Sequence, residues 1–177
     1  MSQEPRVRLR DVTLADADML DAWSADPALG GEFNDFGLPP RPIDREALKR
    51  GPLRNERNGQ LIVERVADGE PIGTVGWHKV GYGPNPESDA MNIGIELLPD
   101  ARGQGFGGEA QAQLAAFLFA ETSVNRIEAQ TDIENTAEQR SLEKAGFRRE
   151  GIARRSQFRA GTFHDLVTFA RLRDDQG

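Results

Sequence analysis

The chain has 177 residues, 37% hydrophobic and 29% charged, which suits a single globular domain across 1–177, structured from about 8 to 171. It contains no cysteine and only two histidines, His78 and His164; this excludes disulfides, thiol nucleophiles and cysteine-held zinc, and no metal is expected. The net charge of −7 argues against a nucleic-acid partner, since such binding depends on neutralising phosphates.

Residues 1–10 are charged and lack an apolar run, unlike a signal peptide. The apolar stretch 112–120 is too short to span a bilayer, so a cytoplasmic protein with no membrane partner is expected. The acidic balance keeps the chain soluble or draws in cationic amines. Residues 7–12 alternate apolar and polar, the pattern of a first strand. Thr13 and Asp16 form a helix start, followed by Leu14, Ala17, Leu20 and Trp23 at helical spacing, which places Trp23 in the core. Residues 28–42 are rich in Gly and Pro and read as irregular; they carry Phe33, Asn34 and Phe36. A short helix is predicted over 43–50. Strands follow at 61–67 and 72–80, joined by the turn Asp68-Gly69-Glu70-Pro71. A strongly apolar strand runs over 91–98 and stops at Pro99. The pattern of Phe106, Ala110, Leu114, Phe117 and Leu118 predicts a helix over 105–121. A half-buried strand at 126–132 and a helix over 135–145, ended by Gly146, come next. Residues 147–173 read as two strands around Arg159-Ala160-Gly161. This order predicts a mixed α/β sheet with helices on its faces.

The chemistry centres on Leu97-Leu98-Pro99-Asp100-Ala101-Arg102-Gly103-Gln104-Gly105-Phe106-Gly107-Gly108, where an apolar strand gives way to a glycine loop that opens a helix. A helix N-terminus exposes unpaired N–H groups and a partial positive charge, and glycines let a pyrophosphate approach the backbone. Arg102 can add a charge-assisted contact. A P-loop is excluded because no Gly-Lys pair follows. The dinucleotide pattern G-x-G-x-x-G matches literally at Gly103, Gly105 and Gly108, with Glu128 about 20 residues on. Four residues, Pro99 to Arg102, separate the strand from the first glycine, and too little chain remains for that fold. A purely structural glycine turn is a further alternative.

Arg102-x-x-Gly105-x-Gly107 matches the Gln/Arg-x-x-Gly-x-Gly/Ala signature of the GNAT superfamily of acetyltransferases. Asn135-Thr136-Ala137 followed by Glu143-Lys144-Ala145-Gly146-Phe147 resembles that superfamily's second motif. Glu150-Gly151 and Gly161-Thr162-Phe163-His164-Asp165 are similar to its RimJ/RimL branch. The resemblance implies a mixed, mostly antiparallel sheet with two splayed central parallel strands, 91–98 and 126–132. It also implies direct transfer of an acetyl group from acetyl-CoA to a primary amine within a ternary complex. The acceptor would be a small molecule or a peptide: a protein N-terminus, a polyamine, an amino acid or an amino-bearing antibiotic. A homodimer would be ordinary for such a protein.

Carried onto this chain, the resemblance assigns the pantetheine arm to Leu97 and Leu98. The pyrophosphate falls to Arg102, Gly103, Gln104, Gly105, Phe106, Gly107 and Gly108, and a further cofactor contact to Asn135. Glu96 is the candidate base, with a residue on a solvated strand face as its alternative. Phe33, Asn34, Phe36 and His78 are candidates for the acceptor cleft, and His164 reads as structural. Two positions depart from the pattern. Asn92-Ile93-Gly94 lacks a carboxylate at its first position, and Glu138 replaces a serine that would protonate the leaving thiolate. A carboxyl group at 138 needs a strongly raised pKa for that role. These departures keep a non-catalytic acyl-CoA-binding module open as the alternative.

Overall fold

The structure, a computed structural model, describes residues 4–175. The leader-free reading of 1–10 therefore falls partly outside it, as do the ends of the domain 1–177. Among the described residues seven strands form one sheet: β1 (Val7–Asp11), β2 (Asn58–Arg65), β3 (Pro71–Gly81), β4 (Asp89–Leu97), β5 (Arg126–Asp132), β6 (Arg148–Arg159) and β7 (Thr162–Leu172). Their order is β1-β2-β3-β4-β5-β7-β6, and every neighbouring pair is antiparallel except β4 with β5. The mixed, largely antiparallel sheet is as expected. It also removes the dinucleotide reading, which requires a parallel sheet wound by alternating helices.

The pleat sends successive side chains to opposite faces, so each face acquires its own core. Leu61 and Val63 of β2 join a large cluster with Leu114 and Leu118 of α4 (Phe106–Glu121) and Leu142 of α5 (Thr136–Lys144). Ile62, between them, packs with Leu20 of α1 (Ala17–Ala25) and Leu48 of α3 (Arg45–Arg50) on the other face. None of the described helices is long and apolar enough to cross a membrane.

One expected irregular stretch is partly helical. Residues 27–34 form α2 (Pro27–Asn34), because Asp26 accepts a bond from Ala28 N–H at 2.9 Å and Pro27 supplies a preset φ at the first position. The apparent irregularity comes from Gly31, whose φ of 61° and ψ of −174° break the helix in the middle. The next helix starts at Arg45 rather than Ile43, since Asp44 caps it through Ala47 N–H.

The parallel pair holds only at Met91↔Ile127 and Asn92↔Glu128, beyond which β4 and β5 run on without pairing. Leu98 N–H donates to Ile72 O at 2.9 Å. Antiparallel alternation then turns the peptide groups of Glu96, Gly94 and Asn92 toward β3, and those of Ile93, Ile95 and Leu97 toward the opening beside β5.

Candidate active site

The helix that follows the glycine loop begins without a cap. α2, α3 and α5 each start on an Asp or Asn whose side chain accepts a first-turn N–H, whereas α4 starts on Gly105 with no side-chain cap. Gly103 (φ 73°) and Gly105 (φ 83°) adopt left-handed backbone that shapes the loop, and a Cβ on Gly103 would meet nothing within 4 Å. Gly107 and Gly108 serve a different purpose. A Cβ on Gly107 would lie 2.9 Å from Ser141 Oγ, and one on Gly108 would lie 3.1 Å from Ser141 O. These two glycines let α5 pack tightly against the first turn of α4. Phe106 turns its side chain into the core, so only its peptide group faces the loop. Gln104 donates from Nε2 to Asp100 O at 2.6 Å.

Leu97 and Leu98 separate in role. The Leu98 N–H is bonded to β3, so its backbone cannot also serve an arm lying in the strand opening. Leu97 O accepts from Arg102 Nε at 2.9 Å, which leaves the Leu97 N–H directed at the opening. Arg102 is thus turned beneath the loop, onto Leu97 O and the carbonyls of Ala28 and Leu29, and away from the phosphate contact expected of it. A cation beside the loop is Arg6, which donates from Nη1 to Gln104 O at 3.0 Å, lies over the Phe106 ring at 5.2 Å and pairs through Nε with Glu109 of the first turn of α4 at 3.2 Å. The sequence alone does not mark Arg6, because nothing local ties residue 6 to residue 104.

Glu96 does not sit on a solvated strand face. It lines a cleft of about 530 Å³ whose walls include Trp23, Asp26, Asn34, Asp35, Phe36 and Thr74. Gly30 of α2 lies over it, with its Cβ position 4.0 Å from Glu96 Oε1. Burial pushes the Glu96 carboxyl up from its ordinary range, and the Arg102 charge partly opposes this. Of the acceptor candidates, Asn34 and Phe36 reach the cleft. Phe33 instead lies against the Arg159 guanidinium at 5.7 Å, and His78 is exposed, outside the cleft. Trp23 faces both the cleft and the smaller core.

Asn135 caps α5, accepting Glu138 N–H at 3.2 Å through Oδ1. Glu138 occupies the first turn of α5 and accepts from Gln111 Nε2, a fully buried amide on α4, whose Oε1 accepts from Ser141 Oγ at 2.9 Å. Among the described residues no cation offsets the burial of this carboxyl, which pushes its pKa up to about 7. Gln111 reads from sequence as another helix residue; only the packing of α4 on α5 assigns it to Glu138.

The carboxylate absent at position 92 is present on the adjacent strand. Asn92 pairs with Glu128, donating from Nδ2 at 3.4 Å, and Glu128 also accepts from the Tyr82 hydroxyl at 2.5 Å and from Arg126 Nε at 3.0 Å. Tyr82, in a loop outside the motifs, is brought here by the β3–β4 connection. His164, expected to be structural, has its Nδ1 3.3 Å from Asp132 Oδ2 and its Nε2 3.2 Å from Arg159 O.

An uncapped helix start beside an open left-handed turn suits a diphosphate, and unpaired strand peptides suit an extended amide arm. Together, sheet and site are those of an acyl-CoA-dependent acetyltransferase. The chain belongs to the acetyltransferase (GNAT) domain family, whose model matches residues 6–148. It is 29% identical over 171 residues to the uncharacterized N-acetyltransferase p20 of Bacillus licheniformis, covering 95% of this chain and 93% of that one. The fold is shared with RimJ of Mycobacterium smegmatis in complex with CoA-disulfide (TM-score 0.74, 22% identity, 96% and 83% coverage). It is also shared with spermidine N-acetyltransferase from Vibrio cholerae in complex with CoA and spermine (TM-score 0.74, 17% identity, 96% and 97% coverage).

Proposed function

We propose that this enzyme acetylates a primary amine on a small cationic molecule or a peptide N-terminus, in the manner of the RimJ/RimL branch, by direct attack in a ternary complex. The observation that carries this reading is Glu96, half-buried at the floor of a cleft bordered by Asp26 and Asp35. Three carboxylates, Asp26, Asp35 and Glu96, outnumber the one arginine of the lining, Arg41, which favours a cationic acceptor, and the apolar faces of Trp23 and Phe36 receive its carbon chain.

When bound, acetyl-CoA supplies a thioester carbonyl that an amine nitrogen can attack. The N–H groups of Gly103, Gly105 and the first turn of α4 hold its diphosphate, and the peptide groups of Ile95 and Leu97 that face the strand opening hold its arm. An amine with a pKa near ~10 arrives protonated, and Glu96 takes its proton. The raised pKa of Glu96 brings it closer to the working pH and makes it a better acceptor. Glu138, with a pKa pushed up to about 7, retains a proton in much of the population near neutrality and returns one toward sulfur. The remaining acceleration comes from holding the two substrates together.

The test is calorimetry with acetyl-CoA and with NAD, followed by a thiol-release assay with spermidine, an aminoglycoside and an alanine-terminated peptide. Acetyl-CoA should bind, NAD should not, and at least one amine should release thiol. Tight binding without thiol release from any amine would instead mark a non-catalytic acyl-CoA module.

A further inference from the structure

Helix α2 forms one wall of the acceptor cleft, yet it is kinked in the middle. Gly31 breaks it, and the carbonyls of Ala28 and Leu29 lie across that break from Glu32 and Phe33, their partners in an uninterrupted helix. Both carbonyls accept from Arg102 Nη2, at 3.5 Å for Ala28 and more closely for Leu29. The same guanidinium binds Leu97 O through Nε at 2.9 Å. A Cβ on Gly31 would stand 3.5 Å from Arg102 Nη1, an ordinary contact, so it is the φ of 61° rather than space that calls for glycine beside the arginine. One planar side chain therefore bridges the end of β4 and the broken helix, and its backbone immediately precedes Gly103.

We propose that Arg102 is a positioning residue for the acceptor site, tying the glycine loop to α2 so that loading the loop with CoA orders the wall over Glu96. This rests on the reading of residues 97–108 as the CoA loop. Guanidinium suits the task because its fork serves carbonyls in two directions at once, whereas a lysine ammonium is a single point. Coupling of this kind is reciprocal: if CoA tightens the wall, an amine held by the wall tightens CoA. The Arg102 charge also reaches Glu96, so the tether and the base share an electrostatic environment.

Hydrogen exchange on the full chain, with and without CoA, tests this in the parent, Arg102→Met and Arg102→Lys, with calorimetry giving the CoA affinity of each. In the free protein, amides of 28–36 should exchange roughly tenfold faster in Arg102→Met than in the parent. CoA should slow these amides in the parent and leave them unchanged in Arg102→Met, while CoA affinity falls by less than about tenfold. Arg102→Lys should recover part of the effect, and it serves as the comparison if the Met variant does not fold. Two results overturn the proposal: equal exchange of 28–36 in parent and variants, or a CoA-dependent slowing that survives Arg102→Met. A parent that does not bind CoA would overturn the loop reading instead, and the free-protein comparison would still decide the tether.

Discussion

Replacing Glu138 by Gln removes a titrating carboxyl while keeping its size. In the folded chain burial pushes this group up from 4.5 to about 7, with only the Gln111 amide to favour the charged form. Between those two values the folded state holds a proton that the unfolded chain has released, so the contribution of Glu138 is undiminished below 4.5 and stability is lost as pH rises through about 7. The gap corresponds to at most roughly 3 kcal/mol, an upper bound because the side chain keeps partial access to water. For a chain of this length each kcal/mol moves Tm by about 2–4 °C. Thermal melts of parent and Glu138→Gln from pH 4 to pH 8.5 should therefore coincide at the acid end and diverge with rising pH. At pH 8 the variant should melt higher by up to roughly 6–12 °C. Carboxylates with lowered pKa values, such as Asp16 beside Arg10, tilt both curves in the opposite direction and cancel in the difference. Parallel curves across the whole range would refute the assignment of a buried, uncompensated carboxyl at 138.

Glu96→Gln should lower kcat by about 10²–10⁴ and leave CoA affinity unchanged by calorimetry; unchanged turnover would remove Glu96 as the base. In the parent, the acid limb of the rate profile should lie above the ordinary carboxylate range, because burial raises the Glu96 pKa. Gly73→Ala should cost about 3 kcal/mol or more by denaturant titration, since its Cβ would fall 2.2 Å from Glu96 O and force β3 from β4 beside the base. Arg159→Met should cost about 3–5 kcal/mol, because Asp132, buried and 2.6 Å from Arg159 Nη2, would lose its cation. A stability change below about 1 kcal/mol there would show that water reaches the pair.

Much of the architecture was legible in the chain because it is written in short-range patterns. The alternation along 126–132 and the periodicity from Phe106 to Leu118 depend on neighbours a few residues away, and both elements stand where those patterns put them. The loop was legible for the same reason, since its glycines, its strand and its helix are contiguous. The stretch 28–42 was misread in part because Gly and Pro signal breaks, whereas Pro27 opens a helix and Gly31 kinks one. His78 was placed near the acceptor by its strand alone, but it lies beyond the cleft on an exposed part of β3.

The sequence by itself determined the sheet's elements, the glycine loop and the membership that several ordered motifs imply, because those are properties of contiguous residues. The tertiary structure decided which groups act on one another. It set Glu96 beneath α2, turned Arg102 from the loop mouth to the carbonyls of Ala28 and Leu29, put Glu128 opposite Asn92, and enclosed Glu138 with Gln111. Each of these pairings joins residues far apart in the chain. A carboxyl's proton affinity depends on the burial and charges that packing brings to it, and no local pattern encodes them.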